Sequence, residues 1–299
     1  MAASVVPVFL MIGLGVLLSR KLLIHVQTLT ILTLYVFSPC LIFDAIVRHT
    51  SRISFLPLAL CTVLITLFCL GTGRLTATVF RIGRAPAASL TGLSAFVNAG
   101  NMGLPIALFA YGEPGLARAA AFMVVMAVMI NTIGVLVFSM GREVNLRKGL
   151  LQVFKVPLIY AAALAMLLPS VGVTLPSILG RPIMMLGQAA IPVLLLAYGI
   201  QLGSMELKLP RFGTFKAVAI RLVLAPAVAF MMAYGLRSYG LFEPLDAKVF
   251  ILMSGLPPAV YNYLLAERFG GDLEMVSEGI LWATIISFFS VSLILGLLG

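Results

Sequence analysis

The chain has 299 residues, of which 62% are hydrophobic and only 10% charged, and its mean hydropathy is +1.14. Soluble domains are roughly 45–50% apolar and about 25% charged, so composition excludes a soluble globular protein and points to an integral membrane protein. The net charge of +10 is scattered over short loops, a pattern that sets orientation in a bilayer rather than one that grips nucleic acid, and no nucleic-acid partner is expected.

Polar breaks divide the chain into ten apolar segments, near 4–18, 28–46, 54–73, 86–111, 119–140, 150–168, 182–203, 215–236, 247–266 and 275–298. A helical crossing takes about 20 such residues. In the first segment, "MAASVVPVFLMIGLGVLLSRK", the positive charge follows the apolar stretch; a cleaved signal has it in front, so the segment reads as a retained span. Cys40, Cys61 and Cys69 fall in apolar runs and read as buried thiols without a disulfide. His25 and His49 fall at span ends, where solvated side chains are expected. Of the 20 Lys and Arg, alternate loops hold 14 (Arg221 among them) and 6 (Arg118 among them). The richer side is expected to be cytoplasmic, with both termini outside and "GREVNLRKG" (141–149) inside.

Mid-span prolines recur at one spacing. Pro7 pairs with Pro157, Pro39 with Pro192 and Pro105 with Pro257, at offsets of 150, 153 and 152 residues, and Gly-Leu-Pro occurs twice, at 103–105 and 255–257. A repeat of this kind predicts two homologous halves, 1–141 and 149–299, of five spans each. Five is odd, so the second half enters the membrane inverted. The expected fold is an all-α membrane protein of ten transmembrane helices in two inverted repeats of five, with broken crossover helices four and nine.

Proline inside a helix removes a hydrogen bond, whereas at a helix start it is well tolerated. Pro105 and Pro257 therefore read as starts of second half-helices, and Gly103 and Gly255 as residues that permit the break; Pro258 extends the second crossover. In an inverted pair both half-helix N-termini point at the membrane centre, where free N–H groups and the positive dipole ends make an anion site. Asn98, Asn101, Tyr261 and Asn262 lie near these breaks as candidate substrate ligands, and Ser38, before Pro39, as a residue facing the same cavity. Ser254 is also near. Asn131 and Gln188 read as hydrogen bonds between helices. No carboxylate falls in the middle of a segment: Asp44, Glu267, Asp272, Glu274 and Glu278 sit near ends. Coupling to sodium held by carbonyls, or to a proton carried on the substrate, stays open. No phosphate loop, zinc spacing or nucleophile constellation appears, so neither enzyme activity nor a cofactor is expected.

The runs "FVNAGNMGLPIALFAYG", "LLAYGIQLG" and "GLPPAVYNYLLAERFGGDLEMVSEGILWATIISFFSVSLIL" resemble the auxin efflux carrier family, related to the bile acid, arsenite and riboflavin transporters. The resemblance covers the whole chain and is most specific in segments four, nine and ten. It implies a fold of the NhaA and bile-acid-transporter type. The scaffold would be 4–46 with 150–203, and the transport domain 54–140 with 215–298. It also implies an elevator-like motion, an organic carboxylate bound at the crossover, and a homodimer. By the same resemblance Asn98, seven residues before Pro105, contacts substrate, Ser38 lines the site, and Pro105 and Pro257 are the crossover prolines. The short 141–149 loop is similar to that of compact prokaryotic members, often associated with malate or malonate. The function so implied is a secondary transporter of small organic anions, an exporter in a bacterial inner membrane. The alternatives are a sodium-coupled importer of the bile-acid type and an anion channel.

Overall fold

The computed structural model describes residues 2–49, 53–139, 156–173 and 175–299; the boundary between the two halves and the 141–149 loop lie outside them. Among the described residues the chain is predominantly helical. In order, the helices are α1 (Ala2–Lys21), α2 (Val26–His49), α3 (Phe55–Val79), α4 (Arg84–Ala95), α5 (Ala99–Phe138), α6 (Pro157–Ser170), α7 (Ser177–Gly203), α8 (Phe212–Ser238), α9 (Pro244–Ser254), α10 (Tyr261–Phe269) and α11 (Leu273–Leu298).

Seven of these, α1, α2, α3, α5, α7, α8 and α11, are long and apolar enough to cross a membrane. The other four, α4, α6, α9 and α10, are shorter. Segment four breaks after Ala95 and segment nine after Ser254. Conversely, α5 runs for 40 residues, about 60 Å at 1.5 Å per residue and twice a bilayer core. It bends at Gly112, whose φ of 65° and ψ of −163° lie outside the helical region, a conformation that favours glycine.

Three prolines are admitted by one local device. Wide, π-type turns at Thr33–Phe37, Ala99–Gly103 and Ile220–Leu224 each end two residues before a proline, Pro39, Pro105 and Pro226. A proline lacks the N–H that would bond four residues back. In each case that carbonyl falls inside the wide turn, where the hydrogen-bond register has already shifted.

Helices α1 and α7 pack along each other, α2 packs against α6 and α7, α3 against α4 and α5, and α8 against α4, α9 and α11. The α1–α7 contact is close because small residues face each other. A Cβ on Gly199 would collide with the Ile12 carbonyl, one on Gly15 with the Leu196 carbonyl, and one on Gly203 with the Ser19 hydroxyl. Close backbone approach through small residues four apart is how membrane helices gain packing energy without a hydrophobic driving force. Cys61 and Cys69 are buried, Cys40 is partly exposed, and all three thiols are free.

Two expectations about charges and amides change. Arg221 and Arg118 are not loop residues: both are 2% exposed. Each orientation set loses one member, and the asymmetry stands. Gln188 is exposed on α7 rather than bonded between helices.

Candidate functional site

The two breaks meet. Residues 96–98 and 257–259 run antiparallel, with Val97 opposite Pro258. The Asn98 N–H donates to the Pro257 carbonyl at 2.8 Å, and the Ala259 N–H to the Phe96 carbonyl at 2.9 Å. Neither Pro257 nor Pro258 has an N–H, so this buried extended strand needs few partners on its own side. Pro105 sits in the first turn of the regular helix after the wide turn, as expected. Pro257 does not begin a helix: it lies in the extended strand, and α10 starts only at Tyr261.

The two glycines also act differently from their expected role. Gly103 is right-handed helical, and Gly255 has a φ of −95°, open to any residue. Both instead sit close to flexible side-chain ends. A Cβ on Gly103 would lie 2.6 Å from Met253 Cε, and one on Gly255 would strike Ile294.

Four helix ends converge on this crossing, and the protein treats them in two ways. The C-terminal ends of α4 and α9 share one cation. The buried Arg221 guanidinium donates to the Ser94 carbonyl (3.3 Å), to the Ala95 carbonyl (3.1 Å) and to the Ser254 carbonyl. A guanidinium is always charged and has five donors, so it matches both negative dipole ends at once. The N-terminal ends of α5 and α10 receive no such counter-charge: neither first turn holds an acidic residue. Both ends instead border a cavity of about 1230 Å³, at Val97 to Asn101 and at Ala259 to Tyr261.

Ser38, Asn98, Asn101 and Tyr261 all line that cavity. Asn98 caps α5: its Oδ1 accepts from the Asn101 N–H at 3.2 Å, and its buried Nδ2 lies against the Tyr198 hydroxyl without a hydrogen bond of good geometry among the described residues. The Tyr261 hydroxyl donates to Asn131 Oδ1 at 3.0 Å, and Asn131 in turn donates to the Ala127 carbonyl, so Asn131 does join two helices. Asn262 is not brought to the cavity. It is fully buried behind the crossing and donates to the Phe96 and Ala259 carbonyls at 3.1 and 2.9 Å, clamping the two strands. Ser254 is likewise buried outside the cavity.

The cavity has a charged rim of Glu206, Lys208, Glu267, Arg268, Glu274 and Glu278. Here the 204–211 linker is tied to the start of α11. Lys208 pairs with Glu274 at 2.7 Å, Arg211 with Asp272 at 2.9 Å and with Glu278 at 3.1 Å, and Trp282 Nε1 donates to the Lys208 carbonyl. Burial works to raise the Asp272 carboxyl, but the Arg211 guanidinium and the Met275 N–H outweigh it and hold the group below the usual carboxylate range. Glu278, which sequence reading placed at a span end, is buried and also accepts from the Thr214 hydroxyl at 2.7 Å. At the far end of α9, Arg118 pairs with the buried Asp246 at 2.5 Å and with Glu243 at 3.0 Å.

Sequence reading missed Gln201, Thr33, Arg221 and Asp246. Of these only Arg221, taken for a loop cation, carried a clear signal, a lone charge inside an apolar run.

The chain matches the family described as membrane transport protein over residues 1–295. It is 26% identical over 279 residues to an uncharacterized transporter of Methanocaldococcus jannaschii, covering 90% of this chain and 88% of that one. An uncharacterized transporter of Methanothermobacter thermautotrophicus is 28% identical over 276 residues, 89% of this chain and 87% of its own. A protein of Rhizobium meliloti named "Putative malonate transporter" is 28% identical over 213 residues, 66% of this chain and 63% of its own. The chain thus belongs to the membrane transport protein family, that of the auxin efflux carriers whose motifs it carries, and is a multi-pass membrane transport protein.

Proposed function

We propose that the protein is a secondary carrier that binds a small organic carboxylate at the crossing and moves it by alternating access. One observation carries this reading. Of four helix ends at the crossing, the two negative ones are matched by Arg221, while the two positive ones open without an acidic residue onto the cavity. Backbone N–H groups and dipole ends so arranged favour an anion, and Asn98 lines the same cavity. A relative named for malonate is consistent with a carboxylate.

On this reading α4 with the start of α5 is crossing four, α5 beyond Gly112 is crossing five, and α9 with α10 is crossing nine. The path then has ten crossings in two inverted halves, and the antiparallel bridge at Val97 and Pro258 is what an inverted pair would form. Helices α1, α2, α6 and α7 act as the scaffold and the rest as the moving body, in an elevator-type exchange. The cavity rim at Lys208 and Arg268 belongs to the loop set rich in Lys and Arg, so this state opens to the cytoplasm of a bacterial inner membrane, with both termini outside, ready to load for export. A homodimer is part of the same reading. A sodium-coupled importer is less favoured, because the carbonyls at the two C-terminal helix ends, suited to a cation, already hold Arg221.

The test is uptake of labelled malonate and other small carboxylates into proteoliposomes preloaded with unlabelled compound. A carrier gives saturation and counterflow. Flux without saturation or counterflow rejects the carrier for a channel, and a strict sodium requirement favours the importer.

A further inference from the structure

We infer that the turn at Arg81, where α3 ends, and the start of α8 form a binding site for the headgroup of an anionic phospholipid. The site is separate from the central cavity, whose lining includes none of its residues. Helix α3 closes with a tight turn in which the Ile82 N–H donates to the Ala77 carbonyl at 2.9 Å and the Arg81 N–H to the Thr78 carbonyl at 3.1 Å. Helices α6 and α8 close in the same way, the Val173 N–H bonding the Leu168 carbonyl and the Leu241 N–H the Leu236 carbonyl. Such a turn needs one residue in the left-handed region. After α6 and α8 that residue is a glycine, Gly172 or Gly240. After α3 it is Arg81, with a φ of 51°, the one non-glycine residue of positive φ among the described residues.

A residue with a Cβ is strained there and glycine is not, so the arginine costs stability. Matching the helix dipole does not account for it. A cation within the last helical turn does that without strain, as Arg237 does in α8 ahead of Gly240. What the strained position supplies is a place. The apolar span of α3 runs from Phe55 to Val79, so Arg81 stands just beyond it, at the depth of lipid headgroups.

The surroundings suit a lipid. The Phe80 and Phe212 rings meet edge to face with centroids 5.2 Å apart, and the Lys216 ammonium lies 4.9 and 5.0 Å from them. Arg84 follows at the start of α4. None of the ion pairs among the described residues includes Arg81, Arg84 or Lys216. The chain has no acidic residue between Asp44 and Glu113, or between Glu206 and Glu243. The carboxylates that α11 brings beside the 204–211 linker are already held by Lys208 and Arg211. The patch is therefore left positive, and an arginine fork matches the oxygens of a phosphate. Along α3, Phe68, Leu75 and Val79 recur at helical spacing and are exposed, a strip on which an acyl chain can lie. Exposed rings at this depth belong to the same interface. Cations flanking a span at the membrane surface recognise anionic headgroups, and a soluble anion would gain nothing from the apolar strip.

The experiment uses the purified full chain in neutral detergent. Native mass spectrometry counts the lipid retained from an equal mixture of phosphatidylglycerol and phosphatidylcholine with the same acyl chains. Melting curves are taken without lipid, with each lipid, and with glycerol phosphate. Wild type should retain phosphatidylglycerol in preference and melt higher with it than with phosphatidylcholine. One cation near an anionic headgroup is worth roughly fivefold in affinity, so Arg81→Gly should lose about that factor. Arg81→Gly combined with Arg84→Gln and Lys216→Met should lose the preference altogether. Without lipid, Arg81→Gly should melt above wild type, because the strain is gone, and that advantage should shrink in phosphatidylglycerol. Equal retention of the two lipids by wild type overturns the proposal, as does a preference that survives in the triple variant. Stabilisation by glycerol phosphate equal to that by phosphatidylglycerol rejects the lipid for a soluble anion. If wild type melts above Arg81→Gly without lipid, the arginine serves the fold rather than a ligand, and the proposal falls.

Discussion

Two asparagines near the crossing have opposite duties, and burial alone does not separate them. Asn98 spends its oxygen on capping α5 while lining the cavity. Asn262 spends its nitrogen on the Phe96 and Ala259 carbonyls and faces no cavity. Aspartate caps a helix as well as asparagine does, so Asn98→Asp should fold normally but weaken carboxylate binding at least tenfold, by placing a negative charge where a donor stood. Thermal stabilisation by added carboxylate reads this; unchanged affinity removes Asn98 from the site. Asn262→Asp should do the reverse, because it sets a buried carboxylate against two carbonyl oxygens. It should cost on the order of 3 kcal/mol of stability or more, visible as lost folded protein in size-exclusion chromatography. Both residues were legible in the sequence as polar groups beside Gly-Leu-Pro. Which of them faces the cavity was not, because that depends on the path of the second strand 160 residues away.

At the scale of elements, the crossing is held by one residue from a third helix. Arg221 joins the ends of α4 and α9 to α8, and its loss leaves three buried carbonyls without their donor. Arg221→Met should destabilise the protein by on the order of 3 kcal/mol. Arg221→Lys should fall between, since it keeps the charge but not the planar fork. Denaturation in detergent compares the three; equal stability of Met and Arg would mean that the helix ends find other partners. The α1–α7 contact is a second constraint at this scale. Gly199 faces Gly15 and Ile12 across it, so Gly199→Val should force the helices apart and lower the melting temperature, while Gly13→Val, where a Cβ meets nothing within 4 Å, should be tolerated.

At the scale of the whole molecule, the 204–211 linker joins α7 to α8 and so, on the proposed reading, the scaffold to the moving body. Its ion pairs with α11 fasten it to the latter. The folded-state pKa of Asp272 lies below its ordinary value. Its contribution is therefore fully present above the unfolded carboxyl range, roughly pH 4, and is lost as pH falls through the lowered folded value. Asp272→Asn keeps a side chain able to accept from the Met275 N–H, the cap that Asp272 makes at 2.9 Å, so it isolates the charge. The melting temperature of wild type should exceed that of Asp272→Asn at neutral pH, and the gap should close in acid. A gap that widened as pH fell would contradict this assignment.

The sequence by itself determined the solvent and the architecture class. Composition is a property of the chain alone, and 62% hydrophobic residues with regular polar breaks leave only membrane helices. It also marked the neighbourhood of the breaks, because each Gly-Leu-Pro stands within a few residues of the point where its helix ends. Only the tertiary structure decided what the polar residues are for. The helices are apolar on most sides, so no amphipathic stripe told Gln188, which is exposed, from Gln201, which lines the cavity, or marked Arg221 as a buried cap rather than a loop cation. Those roles depend on carbonyls and hydroxyls that distant segments bring alongside. Local pattern fixes where a helix starts and stops; the partner of a buried polar group is set by packing between segments far apart in the chain.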